Sequence, residues 1–269
     1  MEGKPVKEGY WVVRTYSAGT VGEKTKFWVQ GARPSARNRR KEKSEIHKQE
    51  QNEASAVKAA ARVLNLNFRA GDLLLGLDYS GEGLRKLLEA LPDELSEEER
   101  QDRIRELAAR ELRNCLDRVK RAMDKEGAEL RYHLGITSDM DGDTGELVRV
   151  HHHIIVNREA KETFRKKWTL GGVDWSPLSE QADYTPIAEY LLKQVRRIKD
   201  KKKYTSSRNL VRPQPKDRIA VSDAELRPPK GALLMVRSEY RPGRPQYIRY
   251  ILPEGQRTRT HKQEDTGGT

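Results

Sequence analysis

Hydrophobic and polar positions along this chain fall into blocks whose period changes between two and about three and a half, and each change marks a predicted element. Two aromatic-rich runs, Tyr10-Trp11-Val12-Val13 and Phe27-Trp28-Val29, flank the turn-like Ser17-Ala18-Gly19-Thr20 and predict a hairpin. A polar helix follows, running to about Leu64 with a thin apolar face of Ala56, Ala59, Ala60, Val63 and Leu64. The continuous run from Asp72 to Ser80, ending at Gly81, predicts a strand buried on both faces at the centre of a sheet. Residues 96 to 124 carry Ile104, Leu107, Ala108, Leu112, Cys115, Leu116, Val119 and Met123 at steps of mostly three and four. That is one buried helical stripe, opened by Ser96 and Glu99 as a capping box.

Strands are predicted over Glu129 to Ser138 and Leu147 to Asn157, joined as an antiparallel hairpin by the turn chemistry of Asp139 to Gly145. Thr185 and Pro186 read as N-cap and first residue of a helix from Pro186 to about Lys201. After Tyr204 the chain turns rich in Pro, Ser, Arg and Lys, with a last hairpin predicted over Ala232 to Glu239 and Tyr247 to Leu252. This order implies an α+β fold, a central antiparallel sheet packed with helices, plus basic terminal extensions. The expected organisation is an N-terminal hairpin and basic helical segment over 1–66, part of or packed on the core, a core over 67–205, a basic linker and hairpin over 206–254, and a disordered tail over 255–269.

Composition narrows the partners. The net charge is +12 among 269 residues, and a positive excess of that size favours a polyanion such as nucleic acid. No apolar run approaches the ~18 to 20 residues of a membrane span, and the start of the chain lacks an apolar secretory signal, so a cytoplasmic protein is expected. The single cysteine, Cys115, excludes an internal disulfide and falls on the apolar helix stripe, where it reads as core.

Three of the six histidines stand together in Val150-His151-His152-His153-Ile154-Ile155-Val156. Alternation along a strand sends His151 and His153 to one face and His152 to the other. Two imidazoles at that spacing can converge on one divalent cation, with a carboxylate from the acidic hairpin (Asp139, Asp141, Asp143 or Glu146) completing the set. Further on, Tyr190, Lys193 and Arg197 share a helix face at i, i+3 and i+7, beside the apolar stripe Ile187, Leu191, Val195 and Ile198. A phenol is a poor nucleophile at neutral pH, and a neighbouring cation helps to generate the phenolate.

A strand with His-x-His, followed about 37 residues later by a helix with Tyr-x-x-Lys, resembles the HUH endonuclease superfamily, and within it the single-tyrosine rolling-circle replication initiators of plasmids and phages. Leu73 to Ser80 is similar to the apolar first motif of that family, and Arg113 and Arg118 fit the basic face of the intervening helix. The resemblance covers about Asp72 to Tyr204 and implies a ferredoxin-like palm. It also implies metal-dependent nicking and joining of single-stranded DNA through a 5′-phosphotyrosine. Mg²⁺ or Mn²⁺ would be held by His151, His153 and Asp139, the last standing where many relatives carry a Glu. Tyr190 would be the nucleophile and Lys193 its companion. Relaxases and single-tyrosine transposases share both motifs, and the three-histidine relaxase set would recruit His133; a non-catalytic DNA-binding protein of the same fold is the remaining alternative.

Arg33, Arg37, Arg39, Arg40 and Lys41 near Trp28, and Arg196, Arg197, Lys199 and Lys201 near Tyr204, are candidate contacts for a single strand, whose backbone needs cations and whose bases need stacking platforms. The expected partner is single-stranded DNA at a replication origin or hairpin. The sequence holds no P-loop, so any helicase would be a separate host protein.

Overall fold

A computed structural model describes residues 9–30, 45–92, 94–140, 147–193, 205–253 and 256. They form an α+β protein of two antiparallel five-stranded sheets and five α-helices. In chain order the elements are β1 (Gly9–Ala18), β2 (Val21–Gln30), α1 (Glu45–Asn67), β3 (Leu73–Asp78), α2 (Gly81–Leu88), α3 (Glu97–Lys125), β4 (Tyr132–Met140) and β5 (Leu147–Val156). There follow a 3₁₀ turn (Arg158–Ala160), α4 (Lys161–Lys167), β6 (Val173–Pro177), α5 (Thr185–Lys193), β7 (Thr205–Ser206), β8 (Lys216–Ala220), β9 (Leu233–Arg237) and β10 (Gln246–Ile251). Among the described residues no helix is long and apolar enough to cross a membrane.

The chain divides into two compact units, one of residues 1–66, 182–185 and 211–269, the other of 67–181 and 186–210. In the first, the two ends of the chain share one sheet of order β8-β1-β2-β10-β9. The stretch after Tyr204 contributes three strands to this sheet: the hairpin predicted over Ala232 to Glu239 and Tyr247 to Leu252 forms as β9 and β10, while β8 is not among the predicted elements, because its pairing with β1, like that of β10 with β2, spans some 200 residues. Parts of the N- and C-terminal segments expected as basic extensions are therefore strands of one folded sheet. Helix α1 lies against one face of it: Arg62 pairs with the buried Glu23 at 2.7 Å and sits 3.6 Å over the Tyr16 ring, while Lys58 lies 3.6 Å over Tyr247. Burying such a pair is tolerable because the fork of Arg62 meets both carboxylate oxygens of Glu23.

The second unit carries the sheet β6-β3-β5-β4-β7. Its helix-covered face is apolar: Leu73, Leu75 and Leu77 of β3 and Ile154 and Val156 of β5 pack with Leu112, Cys115, Leu116, Val119 and Met123 of α3, and with Phe164 and Trp168 of and after α4. The capping box forms as expected, with the Ser96 side chain accepting from Glu99 N–H and Glu99 reaching back to Ser96. Strand β3, predicted to be buried on both faces, instead alternates: Leu74, Gly76 and Asp78 are only half-buried on the opposite face, and the histidine strand β5 is the central one. The predicted cap of α5 also shifts. Thr185 is the first helical residue, and the Asp183 carboxylate accepts from its N–H at 2.9 Å and its hydroxyl at 2.6 Å.

Candidate functional site

The face of β5 that turns away from α3 is where the sequence motifs meet. On that face His151 and His153 bring their Nε2 atoms to 3.1 Å, with the ring planes near perpendicular. Two nitrogens about 2.1 Å from a common cation stand about 3.0 Å apart at an octahedral angle and about 3.4 Å apart at a tetrahedral one. The donor pair therefore has the separation that a shared divalent cation needs.

Tyr190 meets the same point from α5. Its hydroxyl lies 3.2 Å from His153 Nε2, and the two rings stack edge to face at 5.2 Å. Helix α5 can present it because Ala188, Leu191 and Leu192 are buried, fixing the helix, while Tyr190 itself stays 42% exposed. Lys193 closes the helix three residues later.

His152 goes the other way, as alternation requires. It is fully buried in the core, its Nε2 3.0 Å from the Tyr79 hydroxyl and its ring edge to face with Tyr79 and Trp168. Burial, with smaller contributions from His151 and His153, pulls its pKa down to about 3. It is a neutral core group. Tyr79, quoted for the first motif, serves as its partner, and burial raises the pKa of that phenol.

The ladder supplies a carboxylate that the sequence did not single out. Asp78 stands directly opposite His151, and directly opposite residues share a sheet face with Cβ atoms about 5 Å apart. The backbone of Asp78 is fixed on both sides, its N–H donating to Gly172 O at 3.1 Å and its carbonyl accepting from the Trp168 indole at 2.9 Å. Asp139, the carboxylate expected as third ligand, pairs with Arg149, two positions before His151. Among the described residues no three His, Cys, Asp or Glu side chains are already gathered as a metal-holding group.

His133 lies on the same face opposite Ile155, fully buried, with Nδ1 2.9 Å from the Ser206 hydroxyl. On either side of His153 the ladder places glycines, Gly76 of β3 and Gly135 of β4, so the sheet has no flanking side chain there. Arg33, Arg37, Arg39, Arg40, Lys41, Arg196, Arg197, Lys199 and Lys201, together with Asp141, Asp143 and Glu146, lie outside the described residues. No family model, no curated protein and no solved structure matches the chain.

Proposed function

We propose that this protein nicks and rejoins single-stranded DNA through a covalent tyrosine link, as a rolling-circle replication initiator of the HUH type would. The observation that carries the reading is the convergence of His151 Nε2, His153 Nε2 and the Tyr190 hydroxyl within about 3 Å steps of one another. The two imidazole nitrogens are within hydrogen-bond distance, one able to donate to the other, and the same pair turned together can ligate a cation once both are acceptors. The phenol beside them is partly exposed, so a substrate could reach its oxygen.

In this reading His151 and His153, with Asp78 or Asp139, would hold Mg²⁺ or Mn²⁺, which would supply charge to stabilise the oxygens of the scissile phosphate. The Tyr190 oxygen attacks phosphorus as the P–O3′ bond breaks. The phenol gives up its proton and the departing 3′ oxygen gains one, so the step is a transesterification that consumes neither water nor nucleotide. One new phosphodiester replaces the old, which keeps the bond available for rejoining. Helix α5 holds the phenol in one orientation, and such positioning is a large part of the barrier lowering. His152 keeps the strand in register by anchoring it in the core.

The test is incubation of the full chain with random-sequence single-stranded DNA and Mn²⁺, followed by peptide mapping. A 5′-phosphodeoxynucleotide adduct on Tyr190 is the expected result. No adduct, or an adduct on another tyrosine, overturns the reading.

A further inference from the structure

The first unit carries an aromatic and cationic surface that the chemistry above does not use. On the sheet face opposite α1, one ladder rung sets Trp28 beside Trp11, with Ala220 next in line, and the following rungs on that face carry Arg218 with Val13 and Lys26, then Lys216 with Thr15 and Lys24. Trp28 is 43% exposed, unusual for the largest apolar side chain on a strand interior. Its indole is held rather than loose. Trp11 meets it edge to face at 5.4 Å, and its ring atoms lie 2.5–2.7 Å from where a Cβ on Gly9 would be, so only glycine leaves room for the ring. The result is a fixed aromatic surface open on one side.

Charge on this face is unbalanced. Lys26 is neutralised by Asp223, which also accepts from the Gly243 N–H, and Asp217 turns to the other face, where it pairs with Arg14 at 2.7 Å. Arg218 and Lys216 are exposed and have no acidic partner among the described residues. Lys24 donates to the Arg227 carbonyl at 2.9 Å, and its pKa is lowered, first by burial and then by the charge of Arg218. Arg218 and Lys216 are two residues apart on one strand, about 7 Å, a step comparable with that between phosphates of an extended single strand.

We propose that this face binds single-stranded DNA, with a base stacked on Trp28 and the backbone running over Arg218 and Lys216. An aromatic platform beside a row of cations suits a single strand, since every base has a π-face and every phosphate a charge. The partner class is that of the reaction proposed above, on which the choice of DNA rests, but the site is separate from His151, His153 and Tyr190. It would hold substrate without sequence preference.

The experiment uses the full chain in EDTA, so that no cleavage occurs, and compares a fluorescent dT 15-mer with an abasic 15-mer of equal charge by anisotropy. Wild type should prefer dT by about tenfold. Trp28→Ala should erase that preference while binding the abasic strand as wild type does, and Trp28→Phe, a milder change in the fold, should keep part of it. Arg218→Ala and Lys216→Ala should weaken both ligands and each reduce the log–log salt slope by about one. A Trp28→Ala chain that keeps the dT preference overturns the proposal, even if its sedimentation shows loss of a self-association. Trp28-dependent binding without any tyrosine adduct would sustain this site and sink the reaction; an adduct with a Trp28-independent dT preference would do the reverse.

Discussion

Tyr190 and His153, separated by 37 residues, meet with hydroxyl and Nε2 3.2 Å apart. The contact joins a helix to the central strand of the sheet, and so brings the His-x-His and Tyr-x-x-Lys motifs together. Here Ala188, Leu191 and Leu192 do the burying and Tyr190 is left at the surface of the site.

Replacing that hydroxyl is the most direct probe. Tyr190→Phe removes one oxygen from a partly exposed side chain and should change stability by no more than about 0.5 kcal/mol. It should nonetheless abolish the DNA adduct on a denaturing gel, while Lys193→Ala slows adduct formation about tenfold. A Tyr190→Phe chain that still carries labelled DNA places the nucleophile elsewhere.

The outer histidines should behave as a pair. His151→Ala or His153→Ala should each lower nicking at least about hundredfold and weaken Mn²⁺ binding, read by calorimetry. DNA affinity in EDTA should stay within about twofold of wild type, since neither imidazole is needed to attract phosphates. Equal Mn²⁺ affinity in wild type and both variants would remove the metal from the account.

His152 should behave differently. It is fully buried and bonded to Tyr79, so His152→Ala leaves a cavity and an orphaned phenol, costing about 3 kcal/mol of stability. The alternation argument alone suggests a mild substitution; the core position corrects that for folding. Its pH dependence has a definite sign. The folded-state pKa is pulled down to about 3 from 6.5, so below pH 6.5 the unfolded chain takes a proton that the folded chain refuses. Stability is therefore full above the unfolded pKa and declines as pH falls toward the folded one, by about 2 kcal/mol between pH 7.5 and 5. Denaturant midpoints at the two pH values should show that loss in wild type, and a smaller one in His152→Phe.

What was legible in the sequence was local. Period-two alternation assigned His151 and His153 to one face, and the three-and-four spacing of α3 marked its stripe. The capping box at Ser96 was visible too. Non-local pairing was not. Nothing near Asp78 announces that β3 will set it beside His151, 73 residues away, and nothing near Tyr247 announces a partner at Thr25. Helix α2 was hidden for another reason. Gly81-Glu82-Gly83 looks like a loop, yet it opens α2 beneath the Ser80 cap, and Gly83 is glycine because a Cβ there would lie 1.8 Å from the Leu170 carbonyl oxygen; close packing, not a turn, requires it.

Asp78 and Asp139 can be told apart. The ladder puts Asp78 directly opposite His151, whereas Asp139 pairs two residues away from it along β5. If Asp78 is the third donor, Asp78→Asn should weaken Mn²⁺ binding about tenfold or more and raise the metal concentration needed for nicking. Asp139→Asn should then be close to wild type. The opposite ranking would return the ligand to the strand preceding the histidines.

Gly76 gives the last test, because its cost and its use pull in opposite directions. It faces His153 across the ladder, has no unusual backbone angle, and a Cβ there would meet only the Asp174 Cβ, at an ordinary 3.9 Å. Neither strain nor crowding demands glycine, and a strand interior is generally weakened by it. Gly76→Val should thus leave the fold intact or stabilise it by up to about 1 kcal/mol. The same side chain would fill the space beside His153 where a phosphate must approach, so nicking should fall about tenfold or more while Mn²⁺ affinity holds. Such a trade of stability for access is expected where a site, rather than the fold, dictates a residue. If Gly76→Val melts higher and nicks as fast as wild type, the open ground beside His153 is not the path of the substrate.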